Sequence, residues 1–257
     1  MRVPTSLMFL LLSLLLCTDA VFSQDNTLTQ VSTINALMEG AYDGSISVAE
    51  LKKSGDFGLG TFDALDGEMV ITLGSCYKIK SDGNIEIPED TEKIPFASVA
   101  VFHPEVHHII SDETDLKGIE KTIDELMPGK NILCAVKITG RFKVLTARSV
   151  PKQKRPYTPL LEVVKNQSEF KFENVEGTII GFKCPGFLKG LNVPGYHFHF
   201  ISDDRKSGGH VLNFVVTGAG LQIERLSAFR MLMPQDDTFL NMNLESNKEQ
   251  EINKVEK

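Results

Sequence analysis

Three of the chain's six histidines, His197, His199 and His210, fall within a span of fourteen residues. In Tyr196-His197-Phe198-His199-Phe200 the period of a strand puts both imidazoles on one face and the three aromatic rings on the other. Two imidazoles at that spacing can grip one ion. Asp203 to Gly209, rich in charge and glycine, reads as a hairpin loop, and His210 opens the returning strand beside His199. Three neutral imidazoles make a good zinc set. Three protein ligands also leave a coordination position for water or substrate, the mark of a catalytic ion. The alternative is a pair of surface histidines on a half-buried strand. His103, His107 and His108 form a rival group. His103 and His107 have helical spacing, but Val99 to Phe102 reads as strand, Pro104 makes a turn and no third ligand is near. They are read as surface or loop histidines.

The elements that must position this hairpin are mostly strands. Leu28, Val31, Ile34, Leu37 and Met38 have helical spacing, so a helix is expected over Thr27 to Met38, capped by Asn26 or Thr27 and stopped at Gly40. Ser47 and Glu50 form a capping box for a second helix. Strands are expected at Gly60 to Phe62, Met69 to Leu73, Ser75 to Ile79 and Ala97 to Phe102, with Asp66-Gly67 and Asp82-Gly83 as turns. Leu116 to Leu126 is an amphipathic helix ended by Pro128-Gly129. Ile132 to Thr139 and Arg141 to Arg148 alternate like a strand pair. Three prolines within residues 151–159 mark a linker or lid. A helix near Leu160 to Gln167 follows, then strands over Phe170 to Cys184, Tyr196 to Ile201, His210 to Thr217 and Leu221 to Ile223. The tail from Asn241 is polar and open to helix. The class is α+β, with mixed or antiparallel sheets, few helices and the metal hairpin in the C-terminal half.

The chain has 257 residues, 42% hydrophobic and 24% charged, an ordinary globular balance. A net charge of −7 without a Lys/Arg block disfavours a nucleic-acid or anionic-membrane partner. Met1 and Arg2 precede the apolar run Leu7 to Cys17, and Val21 and Ser23 occupy the small-residue positions of a cleavage site. The run is short for a membrane span, so residues 1–23 read as a cleaved signal peptide and the mature chain as secreted, with no membrane attachment. Cys17 is not read as a lipid anchor, because Leu16 stands where a small residue is needed. The mature chain keeps Cys76, Cys134 and Cys184, an odd number without a C-x-x-C pair, hence buried thiols with at most one bridge.

Several segments together resemble one family. Gly60-Thr61-Phe62 before Leu65-Asp66-Gly67-Glu68-Met69, Ala147-Arg148-Ser149-Val150-Pro151-Lys152-Gln153, Pro194-Gly195-Tyr196-His197-Phe198-His199-Phe200 and Gly208-Gly209-His210-Val211 are similar, in that order, to α-acetolactate decarboxylase. The resemblance implies a zinc enzyme, typically a homodimer with a two-domain α/β fold. The expected domains are an N-terminal mixed-sheet domain over residues 24–150 and a C-terminal, β-rich, zinc-binding domain over 151–257. The implied reaction converts 2-acetolactate to acetoin and carbon dioxide. It further implies His197, His199 and His210 as zinc ligands, Glu68 as an acidic residue at the metal and Arg148 as a substrate contact. Glu256 is implied as a second active-site glutamate brought back by the tail, with Glu251 as competitor.

The residue types suit that chemistry. Losing carbon dioxide pushes an electron pair towards the neighbouring ketone and gives an enediolate, whose charge a Lewis acid stabilises. An arginine fork recognises a carboxylate, and a carboxylic acid can return the proton. Glu68 also reads as a solvated turn residue after Asp66-Gly67, and Arg148 as a surface strand charge. Two rivals stand beside this reading. One is a β-barrel oxygenase or isomerase using His-x-His with iron or manganese. The other is a secreted metal-binding homologue without turnover.

Overall fold

A computed structural model describes residues 26–256, so the expected leader lies outside the described residues. In chain order the strands are Thr27–Val31 (β1), Ile46–Ser47 (β2), Phe57–Thr61 (β3), Glu68–Thr72 (β4), Ser75–Ile79 (β5), Ile85–Glu86 (β6), Lys93–Ile94 (β7), Phe96–Ala100 (β8), Val106–Ile110 (β9), Thr114–Asp115 (β10), Cys134–Ser149 (β11), Ser168–Cys184 (β12), Gly195–Ser202 (β13), Gly208–Arg225 (β14) and Ala228–Leu232 (β15). The helices are Ile34–Met38 (α1), Val48–Lys52 (α2), Leu116–Leu126 (α3), Leu160–Val163 (α4), Asp237–Asn241 (α5) and Glu249–Glu256 (α6). No helix among the described residues is long and apolar enough to cross a membrane.

The fold is α+β. One sheet runs β15-β1-β8-β3-β4-β5-β6 and is mixed, because β1 pairs β15 in parallel and β8 antiparallel. The second is antiparallel, with path β10-β14-β11-β12-β13 and β9 alongside β14. It curls until β13 also meets the start of β14. Inside the curl Phe142 packs edge-on against Phe200 and Phe214, at centroid distances of 5.4 and 5.6 Å. Each such pair adds about 0.5–1.5 kcal/mol beyond area burial. Ile119 and Ile123 of α3 close that core. The outer face meets the first sheet through Ala135, Ile180, Phe182 and Ile201, packed with Leu28, Phe57, Leu59 and Val70.

The sheets do not follow the two sequence halves divided after residue 150. Strands β9 to β11 precede that point yet belong to the second sheet, and β15 follows it yet edges the first. The proline-rich segment is tied into the fold instead: the Gln153 amide donates to the Ala64 carbonyl at 2.7 Å, and the Tyr157 hydroxyl bonds Asp43 at 3.1 Å.

Three local expectations change. Thr27 to Met38 is a strand and then a short helix. Leu28 and Val31 lie in different cores, so a strand buried on both faces shows the spacing of a helix stripe. Ser32 turns the chain at φ 59°, and the Thr33 side chain caps α1 by accepting the Ala36 amide at 3.0 Å. The expected strand pair over 132–148 is one strand, because Gly140 is a point of close approach and not a turn. A Cβ there would stand 2.8 Å from that of Ala219. His210 to Ile223 is likewise one strand, bulged at Gly218. The capping box at Ser47 and the helix over Leu116–Leu126 form as expected. His107 and His108 are exposed on β9, and His103 is exposed before it. The three thiols are free and buried in three separate cores, so none pairs with another.

Candidate metal centre

The hairpin of β13 and β14 is closed by its own loop. The Ser202 amide donates to the Ser207 carbonyl at 2.8 Å, and Ser202 Oγ accepts the Ser207 amide at 2.9 Å. His199 then stands directly opposite His210, with His197 two residues back on the same face. On its other side His210 is paired with Arg148 of β11. That pairing needs glycine beforehand: Gly209 has φ +139°, and a Cβ there would lie 2.5 Å from the Arg148 carbonyl oxygen.

One ligand atom from each histidine lies within 4.8 Å of the others. The rings are 6%, 1% and 1% exposed, in chain order. Burial drives the His197 pKa down to about 3 and holds His199 and His210 well below the usual histidine value, so all three are neutral. His199 Nδ1 lies 2.7 Å from the carbonyl oxygen of Met69 in β4. A carbonyl only accepts, so Nδ1 carries the proton and Nε2 keeps its lone pair. That Nε2 is buried without a hydrogen-bond partner among the described residues. His197 Nε2 and His210 Nδ1 are 3.1 Å apart.

The two glutamates expected from the resemblance are both here. Glu68 opens β4, and its Oε2 is 3.6 Å from His199 Nε2. Glu256 ends α6, and its Oε2 is 3.3 Å from His197 Nε2 and 3.8 Å from His210 Nδ1. Arg148 is 3% exposed. Its Nη2 donates to the Val255 carbonyl at 2.9 Å, its Nη1 is 3.5 Å from Glu68 Oε1, and its Nε has no partner among the described residues. Glu251 is not at the site; it faces Lys248. Burial pushes the Glu68 pKa up to about 7 against the pull of Arg148, with Glu256 pushing the same way. Burial likewise raises Glu256, again opposed by Arg148. Two buried carboxylates share one guanidinium among three neutral imidazoles whose nitrogens converge. This donor set fits a divalent cation, which would satisfy the orphaned nitrogen and balance the acids.

The wall of the site was not legible as such. Leu37, Thr61, Leu65, Phe96, Val150 and Leu160 line a cavity of about 30 Å³ with the six polar residues. Leu65 reaches it from a strained turn, in which Ala64 and Leu65 have φ of 59° and 54°. Bonds of 2.8 Å from the Ala64 amide to the Tyr42 carbonyl and 2.7 Å from the Gln153 amide to the Ala64 carbonyl hold that turn. Thr61, Leu65 and Val150 do fall inside the quoted motifs, which was the available signal.

Comparison with known proteins places this arrangement in context. The family model described as alpha-acetolactate decarboxylase matches residues 28–246, ending before α6. The alpha-acetolactate decarboxylase of Methylococcus capsulatus is 42% identical over 233 residues, 91% of this chain and 90% of that protein. That of Brevibacillus brevis is 46% identical over 220 residues, 85% of this chain and 77% of that protein. The crystal structure of alpha-acetolactate decarboxylase from Bacillus subtilis strain 168 superposes with a TM-score of 0.88 at 38% identity, covering 90% of this chain and 99% of that one.

Proposed function

The chain belongs to the alpha-acetolactate decarboxylase family, and from that premise we propose that it converts 2-acetolactate to acetoin and carbon dioxide with a zinc ion held by His197, His199 and His210. The carrying observation is that these imidazoles, Glu68, Arg148 and Glu256 meet in one buried cavity, although they come from four strands and the last helix. When bound, the zinc supplies Lewis acidity to the oxygens on which negative charge grows as carbon dioxide departs. His199 is oriented for binding by the Met69 carbonyl, which fixes its tautomer.

The chain's own groups do the rest. Arg148, with a buried donor to spare, holds the substrate carboxylate and orients it for departure. The apolar wall seats the methyl groups and keeps water from the electron pair left behind. That pair needs a proton on carbon. Burial raises the Glu68 pKa against the pull of Arg148, which suits that carboxyl to pass a proton to the carbon. Glu256 lies across the imidazole cluster from it and is the second acid or base. The family rules out the oxygenase or isomerase reading. Turnover separates an enzyme from a homologue that only binds metal.

We also propose export by a cleaved leader over residues 1–23, on the pattern of that segment, and a homodimer, on the family resemblance. N-terminal sequencing of the secreted chain and light scattering test these two points.

Racemic acetolactate with the purified protein should give acetoin and carbon dioxide. Chelation should abolish the reaction and zinc restore it, and His199→Ala should lose most of its metal by elemental analysis. Full-rate acetoin formation after complete metal removal would overturn the zinc assignment, and no acetoin from zinc-loaded protein would overturn the activity.

A further inference from the structure

The cavity, about 30 Å³ and partly open to solvent, is narrow for a branched keto acid, so a wall element that can shift would ease its entry. Glu68, Arg148 and the histidines stand on strands locked into sheets. The tail belongs to neither sheet. It runs from α5 across α1 and ends in α6, which brings the Val255 carbonyl and the Glu256 carboxylate to the site.

Polar contacts to α1 and to Glu39 just after it hold the start of the tail, while α6 packs on α4. Asn35 Nδ2 donates to the Leu244 and Ser246 carbonyls at 3.1 and 3.2 Å. Lys248 Nζ sits 2.5 Å from Glu39 Oε1 and 3.3 Å from Glu251 Oε2, with the Lys248 side chain 11% exposed. The Lys248 carbonyl accepts the Ile252 amide at 2.8 Å, so the clasp sits at the point where α6 begins. Ile252 and Val255 then pack into the core that contains Ile34, Leu37 and Leu160. The short helix α1 and its C-cap Glu39 therefore carry both a wall residue, Leu37, and the clasp.

Resting on the decarboxylase reading, we propose that Lys248 and Glu39 are positioning residues: their clasp opens to let substrate reach Arg148 and re-forms to return Glu256 to the reacting carbon. Asn35 is the fixed hinge of that strap, since its two bonds grip the chain just before the clasp. Neither charged residue touches the cavity, so their effect on turnover passes through Glu256.

The test is a charge swap in the full, zinc-loaded chain: Lys248→Glu, Glu39→Lys and both together, with Lys248→Met as a milder break. Three readouts are taken: zinc content, amide hydrogen exchange of residues 249–256, and kcat and KM for acetoin formation. Each single reversal should leave zinc in place, speed exchange in α6 about tenfold or more and lower kcat/KM roughly tenfold. The loss should fall mainly in kcat, because the carboxylate contact at Arg148 survives. Lys248→Met should move the same way by less, and the double variant should recover exchange and kcat/KM to within about threefold of the parent. Unchanged exchange in the singles, or a double variant as impaired as either, overturns the clasp. Exchange that responds and recovers while no variant, nor the parent, makes acetoin upholds the clasp's grip on α6 and overturns the decarboxylase reading on which its role in turnover rests.

Discussion

Replacing Arg148 by lysine separates the guanidinium's geometry from its charge. The residue sits on β11 opposite His210, with three uses for its donors. One bond of 2.9 Å reaches the Val255 carbonyl, a looser contact of 3.5 Å reaches Glu68, and Nε faces no protein partner. An ammonium has its donors on a single atom, so it cannot serve the tail, the glutamate and a substrate carboxylate from one position. Of the contacts a guanidinium makes, Arg148→Lys keeps one. A hydrogen bond to a charged group is worth about 1.5–3 kcal/mol. Losing one bond to the substrate, and part of the restraint on Glu256, costs about 3–4 kcal/mol in the transition state. That is a fall of roughly 100- to 1,000-fold in kcat/KM. Zinc should stay, since Arg148 is no ligand, and the melting temperature should change little because the charge beside Glu68 is retained. The assay is initial-rate acetoin formation with metal content measured on the same sample. A kcat/KM within threefold of the parent would refute a bidentate role. Loss of zinc in step with activity would show that the residue builds the metal site instead.

The tail glutamates should behave differently from one another. Glu256→Gln and a chain ending at Lys248 should retain zinc and lose about 100- to 10,000-fold in acetoin formation, while Glu251→Gln, which faces Lys248 and not the site, should stay within about threefold of the parent. Stability rests elsewhere. Phe142→Ala, emptying the centre of the curled sheet, should cost about 3–5 kcal/mol and lower the melting temperature by roughly 10 °C in a calorimetric scan, with zinc affinity unaffected.

The metal hairpin could be read from the chain because its signals are local. Two histidines at strand period, a charged glycine-rich loop and a third histidine specify a face and a return. Glu68 and Arg148 carry no such signal. Each is one charged residue on a strand, and only the family motifs pointed to them; their burial comes from sheet packing that spans 80 residues of sequence. The misread segments fail for a related reason. Leu28 and Val31 are buried by two different cores, so their spacing mimics a helix. Gly140 is small because Ala219 of a neighbouring strand passes close by, a fact about tertiary structure that looks locally like a turn. The polar tail, ordinarily a frayed end, is ordered by contacts with α1, some two hundred residues earlier.

The site depends on how the two sheets are joined, and two hydrogen bonds make that join beside the chemistry. The Met69 carbonyl meets His199 Nδ1 at 2.7 Å, and Ser149 Oγ donates to the Ile79 carbonyl at 2.8 Å. Met69 follows Glu68 along β4, and Ile79 is the residue paired with Glu68 across β5. Ser149 follows Arg148 on β11. Both ties therefore leave the first sheet within one residue of Glu68. They arrive on the second sheet at a metal-face histidine and next to the arginine. Gly208 completes the approach: a Cβ there would lie 2.9 Å from the Ile79 side chain, so glycine lets the start of β14, and with it His210, come up against the same point. A slip of β4 by one residue against β3 and β5 would carry Glu68 to the opposite face of the sheet and take the Met69 carbonyl away from His199. The distance from carboxylate to imidazole is thus set by the same buried bonds that fix the register of the two sheets.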